Sequence, residues 1–275
     1  MKFVAWRPLR LVGIVLAIVL VAGCSSEDEA PKLLPEQPVE QLYNEAVDLM
    51  QVGRYAEAAN AYDEVERQHP YSVWATKAQI MAAFSNYQSN NYDAAIAAAE
   101  RFVRLHPGHK DVAYAYYLTA ISQYEQISDV YRDQGRTQKA LDALQEVIRR
   151  FPTTLYAQDA QAKIALARDH LAGKEMDVGR YYLKRGHYVA AINRFRGVVE
   201  KYQQTSHTPE ALHRLVESYL ALGVETEAQA AAAVLGYNYP DSDWYRDSYA
   251  LLTGADLKPK ADQQSWVARA FKSVF

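Results

Sequence analysis

YAEAANAYDEVERQHP, residues 55–70, has four companions: YDAAIAAAERFVRLHP (92–107), TQKALDALQEVIRRFP (137–152), YVAAINRFRGVVEKYQ (188–203) and ETEAQAAAAVLGYNYP (225–240). Aligned without gaps, each carries alanine at its fourth position, at Ala58, Ala95, Ala140, Ala191 and Ala228. A second column holds Tyr62, Ala99, Leu144, Phe195 and Ala232, and a third holds Val65, Phe102, Val147, Val198 and Leu235. Steps of four and then three put the columns on one stripe of a helix. Alanine lets a neighbouring helix approach closely and the larger residues fill the groove beside it. Proline closes four of the five copies, with Gln203 the exception, because it cannot continue the hydrogen-bond ladder.

These stretches are therefore expected to be the second helices of helix-turn-helix units. The alanine, large apolar residue, proline spacing resembles the tetratricopeptide repeat, whose period is about 34 residues. Here the copies start at residues 55, 92, 137, 188 and 225, so the connections carry insertions. The expected fold is all-α, a tetratricopeptide-repeat superhelix (an α-solenoid) of about five repeats. Neighbouring units then share a continuous core and leave a concave groove suited to peptides or partner domains.

Apolar residues make up 49% of the 275-residue chain and charged ones 23%, ordinary values for a folded protein. The N-terminus reads as a targeting segment. Lys2, Arg7 and Arg10 precede an apolar run, 11–21, too short to span a bilayer, and Val21-Ala22-Gly23-Cys24 closes it like a lipobox. The expectation is a lipoprotein signal at 1–23, cleavage before Cys24 and lipid on that residue. Ser25 and Ser26 follow with no Asp next to the cysteine, which in lipoproteins resembles export to the outer membrane. Cys24 is the only cysteine, so no internal disulfide forms. The formal net charge is −3, and removing the basic signal makes the remainder more acidic; no nucleic-acid partner is expected.

Residues 24–38, with Glu27, Asp28, Glu29, Pro31, Pro35 and Pro38, read as an extended lipidated tether. The five units and a capping helix are expected over 39–253. Unit three carries a lengthened turn around 129–135, open as a contact surface or a solvated insertion. Unit four begins with a helix of about 30 residues, 155–184, which bridges Gly173. A linker and amphipathic helix are expected over 254–275. There Trp266, Val267, Ala270, Phe271, Val274 and Phe275 share one half of the wheel. That face either docks on a partner or membrane, or packs back on unit five.

No Gly-rich phosphate loop, Gly-x-Ser-x-Gly elbow or His-Glu-x-x-His motif occurs, so the chain reads as a non-enzyme without cofactor or metal. His106 and His109 flank Pro107, which breaks the helix between them, and His106 shares a helix-end column with His69. The 21 tyrosines suit either the inter-helix core or a peptide-binding groove.

RFVRLHPGH (101–109), DVYRDQ (129–134) and DHLAGKEMDVGRYYLKRGHYVAAINRF (169–195) resemble signature blocks of the BamD family, particularly in α-proteobacteria. These are lipoprotein subunits of the machinery that inserts β-barrels into the bacterial outer membrane. The resemblance runs from Cys24 to about Tyr239 and leaves the C-terminal tail unexplained. It implies a scaffold whose C-terminal repeats hold the POTRA region of a BamA-type barrel, beside other assembly-complex lipoproteins. It also implies N-terminal repeats that accept unfolded outer-membrane proteins. Substrate contact is then expected at Tyr43, Val47, Met50, Phe84 and Tyr87. Partner contact is expected at Arg180, Lys184 and Arg194, the last as a directional fork for a carboxylate. Two other readings remain: another periplasmic repeat lipoprotein coordinating envelope or peptidoglycan synthesis, and an accessory subunit of a peptidoglycan enzyme or a glycan-binding module.

Overall fold

The computed structural model describes residues 36–129 and 132–272. The expected signal peptide, Cys24 and nearly all of the tether lie outside the described residues, as do Val130, Tyr131 and residues 273–275.

Ten helices form five antiparallel pairs. They are α1 (Val39–Gln51) with α2 (Tyr55–Gln68), α3 (Val73–Gln88) with α4 (Tyr92–Leu105), α5 (Val112–Glu125) with α6 (Gly135–Arg150), α7 (Leu155–Lys184) with α8 (Tyr188–Lys201), and α9 (Thr208–Ala221) with α10 (Glu225–Asn238). Two more follow, α11 (Asp243–Gly254) and α12 (Trp266–Lys272), and no strand occurs among the described residues. Each of α1 to α10 packs on the next, and α1 also touches α3, α3 touches α5 and α5 touches α7. The first helices of successive pairs thus approach one another and form the inner wall of the array. The fold is a tetratricopeptide-repeat solenoid.

All fifteen residues of the three sequence columns are buried with no measurable exposure, from Ala58, Tyr62 and Val65 to Ala228, Ala232 and Leu235. The stripe is what each second helix sets against its neighbours. The ends of these helices repeat as well. His69, His106, Phe151, Tyr202 and Tyr239 cap α2, α4, α6, α8 and α10 with φ between −130° and −138°. A following proline disfavours the helical region at the residue before it. Tyr202 takes the same conformation ahead of Gln203, where proline is missing; there the Thr205 and Thr208 hydroxyls donate to the Tyr202 carbonyl at 2.8 and 3.1 Å.

Within the pairs, four turns share one device. Gly53, Asn90, Gly186 and Gly223 have φ of 78°, 60°, 74° and 72°. The next residue donates its N–H to the carbonyl five positions back, as in Arg54 to Leu49 and His187 to Tyr182. This is the Schellman closure, which favours glycine or asparagine in the left-handed position. Unit three replaces it with the longer connection 126–134. Between pairs, Ser72, Thr154 and Ser242 cap α3, α7 and α11, each hydroxyl accepting from the N–H three residues on.

The α7 helix runs unbroken for 30 residues through buried Gly173 and Gly179. The C-terminal segment returns along the array, and of the two expectations for it packing back is what occurs. α12 lies on α10 and also on α8, so it spans units four and five. Val267 is fully buried and Phe271 is 5% exposed, within one core cluster that also holds Phe195, Leu212 and Leu235. Trp266 Nε1 donates to the Tyr219 hydroxyl at 2.9 Å, and Ser265 Oγ donates to Glu227 at 2.8 Å. The apolar face of α12 is covered because burying it removes that surface from water at about 25 cal/mol per Å².

Candidate functional site

The inner wall carries two aromatic groups. The first lies between α1, α2 and α3, where Tyr43 stands 5.5 Å from Tyr62 and 4.8 Å from Trp74, and Lys77 lies 5.0 Å over the Trp74 ring. Tyr43, Val47 and Met50 are half-buried against the cluster of Leu42, Ala46, Tyr62 and Val65. Burial pushes the Tyr62 phenol up to about 12.

The second group runs across α3, α5 and α7. Phe84, Tyr87, Tyr114 and Tyr117 pack against one core cluster that holds Ile80, Leu118 and Ile121, and Tyr156 lies 5.4 Å from Tyr114 and 5.1 Å from Tyr117, nearly parallel to the latter. The Tyr117 hydroxyl donates to Asp159 at 2.7 Å, and Lys163 lies 3.5 Å from the same carboxylate. Burial raises all three phenols of Tyr87, Tyr114 and Tyr117, with Glu125 adding to the first and Asp159 to the last. They remain hydrogen-bond donors at neutral pH. The five expected substrate residues thus divide, three with the first aromatic group and two with the second. Tyr114, Tyr117 and Tyr156 complete the second. The signal for Tyr156 in the sequence is the recurrence of Pro-x-Ser/Thr-x-Trp/Tyr at 70–74, 152–156 and 240–244, which sets an aromatic on the second residue of α3, α7 and α11. Each such ring then meets the preceding first helix: Trp74 on Tyr43, Tyr156 on Tyr114 and Tyr117, and Trp244 on His213 at 5.2 Å.

In unit four, Arg180 Nη1 donates to Glu210 at 3.0 Å and so joins α7 to α9. Arg194 Nη1 donates to Glu175 at 3.2 Å, joining α8 to α7. Lys184 is exposed at the end of α7. Arg194 and Glu175 line a recess of about 360 Å³ with Tyr182, Asn193, Lys201 and Tyr202. His106 donates through Nε2 to the Gln79 amide oxygen at 2.9 Å, the Gln79 amide donates to Glu66, and Glu66 pairs with Arg101 at 2.6 Å. Glu66 of unit one is thus tied to unit two through Gln79 and Arg101, and the imidazole steadies Gln79 from within unit two.

The family described as "Outer membrane lipoprotein" (YfiO) matches residues 35–235, all five helix pairs except the last turn of α10. Outer membrane protein assembly factor BamD of Caulobacter vibrioides is 48% identical over 257 residues, covering 93% of this chain and 84% of that protein. The chain belongs to the BamD family. Outer membrane protein assembly factor BamD of Rickettsia prowazekii is 45% identical over 88% of this chain and 96% of its own length. Among solved structures, a thermophilic TPR protein of Thermus thermophilus is 20% identical over 78% of this chain and 98% of its own, with a TM-score of 0.36. No helix among the described residues is long and apolar enough to cross a membrane.

Proposed function

We propose that this BamD-family chain is a non-catalytic scaffold for outer-membrane protein assembly. Lipid on Cys24 holds it at the outer membrane, facing the periplasm, and residues 24–38 act as the tether. Its C-terminal repeats bind the POTRA region of a BamA-type barrel, with the contact region in unit four where Arg180, Lys184 and Arg194 lie. Unfolded outer-membrane proteins engage the inner wall of the N-terminal repeats at Tyr43, Val47, Met50, Phe84 and Tyr87, extended by Tyr114, Tyr117 and Tyr156. Other lipoproteins of the complex join the same scaffold.

The observation that carries this reading is the 48% identity to a relative named an assembly factor, sustained along 93% of the chain. The inner wall supports the substrate half of it. Tyrosine offers a large apolar surface with a hydrogen-bonding tip at little entropic cost, which suits extended segments of varied sequence. The test is purification of the intact lipoprotein from its own membranes in mild detergent, with mass spectrometry of what accompanies it. A large β-barrel with POTRA domains is the expected companion, and its absence would overturn the reading.

A further inference from the structure

The seam between α5 and α7 does not end at its tyrosines. Further along it, Tyr124, Glu125 and Ile127 face Leu166, Asp169 and His170 across a recess of about 520 Å³, which His207 closes from the N-cap of α9. Bonds between elements hold this lining in place. His170 donates through Nε2 to the Ser128 carbonyl at 2.7 Å, and Asp169 accepts from the N–H and the hydroxyl of Ser206 at 3.0 and 2.8 Å. The recess also joins the aromatic wall directly, because the Tyr87 phenol donates to Glu125. No lysine or arginine pairs with Glu125 or Asp169 among the described residues; the side chain facing Asp169 from α9 is His207, at 3.6 Å. Lys163, one turn before Leu166, is already paired with Asp159 and laid over the Tyr124 ring. Leu166 lines the same recess and is 61% exposed.

We infer that this recess is a subsite for a lysine or arginine side chain of the extended segment that lies on the inner wall. The inference rests on the reading above that unfolded chains bind there, and adds a charge preference to it. The lining is amphipathic in the way these side chains are: the stem lies along Ile127 and Leu166 while the charged head reaches Glu125 and Asp169. An apolar side chain in the same place leaves both carboxylates short of water without a partner, and an acidic one is repelled by them. Helix geometry also sets a spacing. Glu125 follows Tyr117 by eight residues on α5. That is about 12 Å along the axis, which an extended chain covers in about four residues. An even spacing sends both side chains to one face of an extended segment. The wall therefore selects an aromatic residue with a cation about four residues away.

The experiment titrates the full lipoprotein in mild detergent with a short fluorescein-labelled peptide of serine and threonine that carries two tyrosines and, about four residues from them, one arginine. A second peptide has glutamine in place of the arginine. Anisotropy is read near pH ~8, above the ordinary range of imidazoles. Wild type should bind the arginine peptide about tenfold more tightly than the glutamine peptide, with an advantage that shrinks in high salt. Glu125→Gln/Asp169→Asn, which keeps both hydrogen-bond acceptors, should bind the two alike. Should the double variant lower the thermal midpoint, Glu125→Gln alone is read, with a smaller loss of preference expected. Equal binding of the two peptides by wild type, or a preference that survives in the folded variants, overturns the subsite. The inner-wall reading then stands as long as Tyr87→Ala weakens both peptides. If wild type binds neither peptide, both fall.

Discussion

The ring of Phe195 on α8 occupies the space above the bare Cα of Gly179 on α7: a Cβ at position 179 would stand 2.8 Å from Phe195 Cδ1 and Cζ. Phe195 is fully buried and cannot swing aside into solvent. Gly179→Ala should therefore cost about 1–3 kcal/mol through overpacking. Gly197, on the helix that carries Phe195, is the natural contrast, since a Cβ there meets nothing within 4 Å. Gly197→Ala should gain up to about 1 kcal/mol from helix propensity. Urea unfolding of the two variants should move the midpoint in opposite directions, and movement in the same direction would count against the close contact.

Trp266 is the polar and aromatic fastening of the C-terminal segment, with its N–H on Tyr219 and the Arg196 guanidinium 4.6 Å over its ring. Trp266→Ala should cost about 2–3 kcal/mol, below the range for a fully buried tryptophan because this one is partly exposed. Limited proteolysis should then cut faster within 255–264 than in the wild-type chain. An unchanged cleavage rate would mean that Val267 and Phe271 hold the segment without it.

His213 is 5% exposed between α9 and α11, with Nδ1 2.9 Å from Ser248 Oγ. Burial, and then the neighbouring Arg214, lowers its pKa, while Glu217, Asp247 and Glu210 act the other way. The unfolded chain takes up this proton near pH ~6.5, before the folded one does. The stability contributed by neutral His213 is thus fully present above that pH and declines as pH falls towards the lower folded value. Urea midpoints measured from pH 7 to 5 should fall more steeply for wild type than for His213→Gln. Parallel slopes would show that other groups govern the acid limb.

The inner wall makes a prediction about binding alone. Tyr87→Ala and Tyr156→Ala should each weaken capture of an unfolded outer-membrane protein by about tenfold, near 1.4 kcal/mol. Tyr71, wholly exposed on the turn between α2 and α3, should be silent when changed to alanine. Crosslinking yield to a translocated barrel precursor would separate these outcomes, and equal loss from all three variants would point to a nonspecific surface.

Much of the solenoid was legible because the three columns encode a single physical demand, full burial at steps of four and three, and every column residue meets it. The 30-residue α7 was readable for the same reason. What the pattern does not carry is pairing across distant segments. Gly179 looks like a weak point in a helix until Phe195 is seen against it, and Arg194 looks like a free cation until Glu175 is found 3.2 Å away. The α12 wheel offered unit five as one possible cover but not the added contact with unit four, which lies some 70 residues upstream in sequence.

In a simple array each unit answers only to its neighbours, so fraying can travel inward from an end one pair at a time. The return of α12 to α8 changes that arithmetic at the C-terminal end. A hook that grips both of the last two pairs makes their opening a single event, with Phe195, Leu235, Val267 and Phe271 exposed together or not at all. Units four and five with α11 and α12 should therefore open together as one cooperative unit, later than the N-terminal pairs. The half proposed to grip a partner is the half built to stay shut, and the half proposed to receive unfolded chains is the one free to yield.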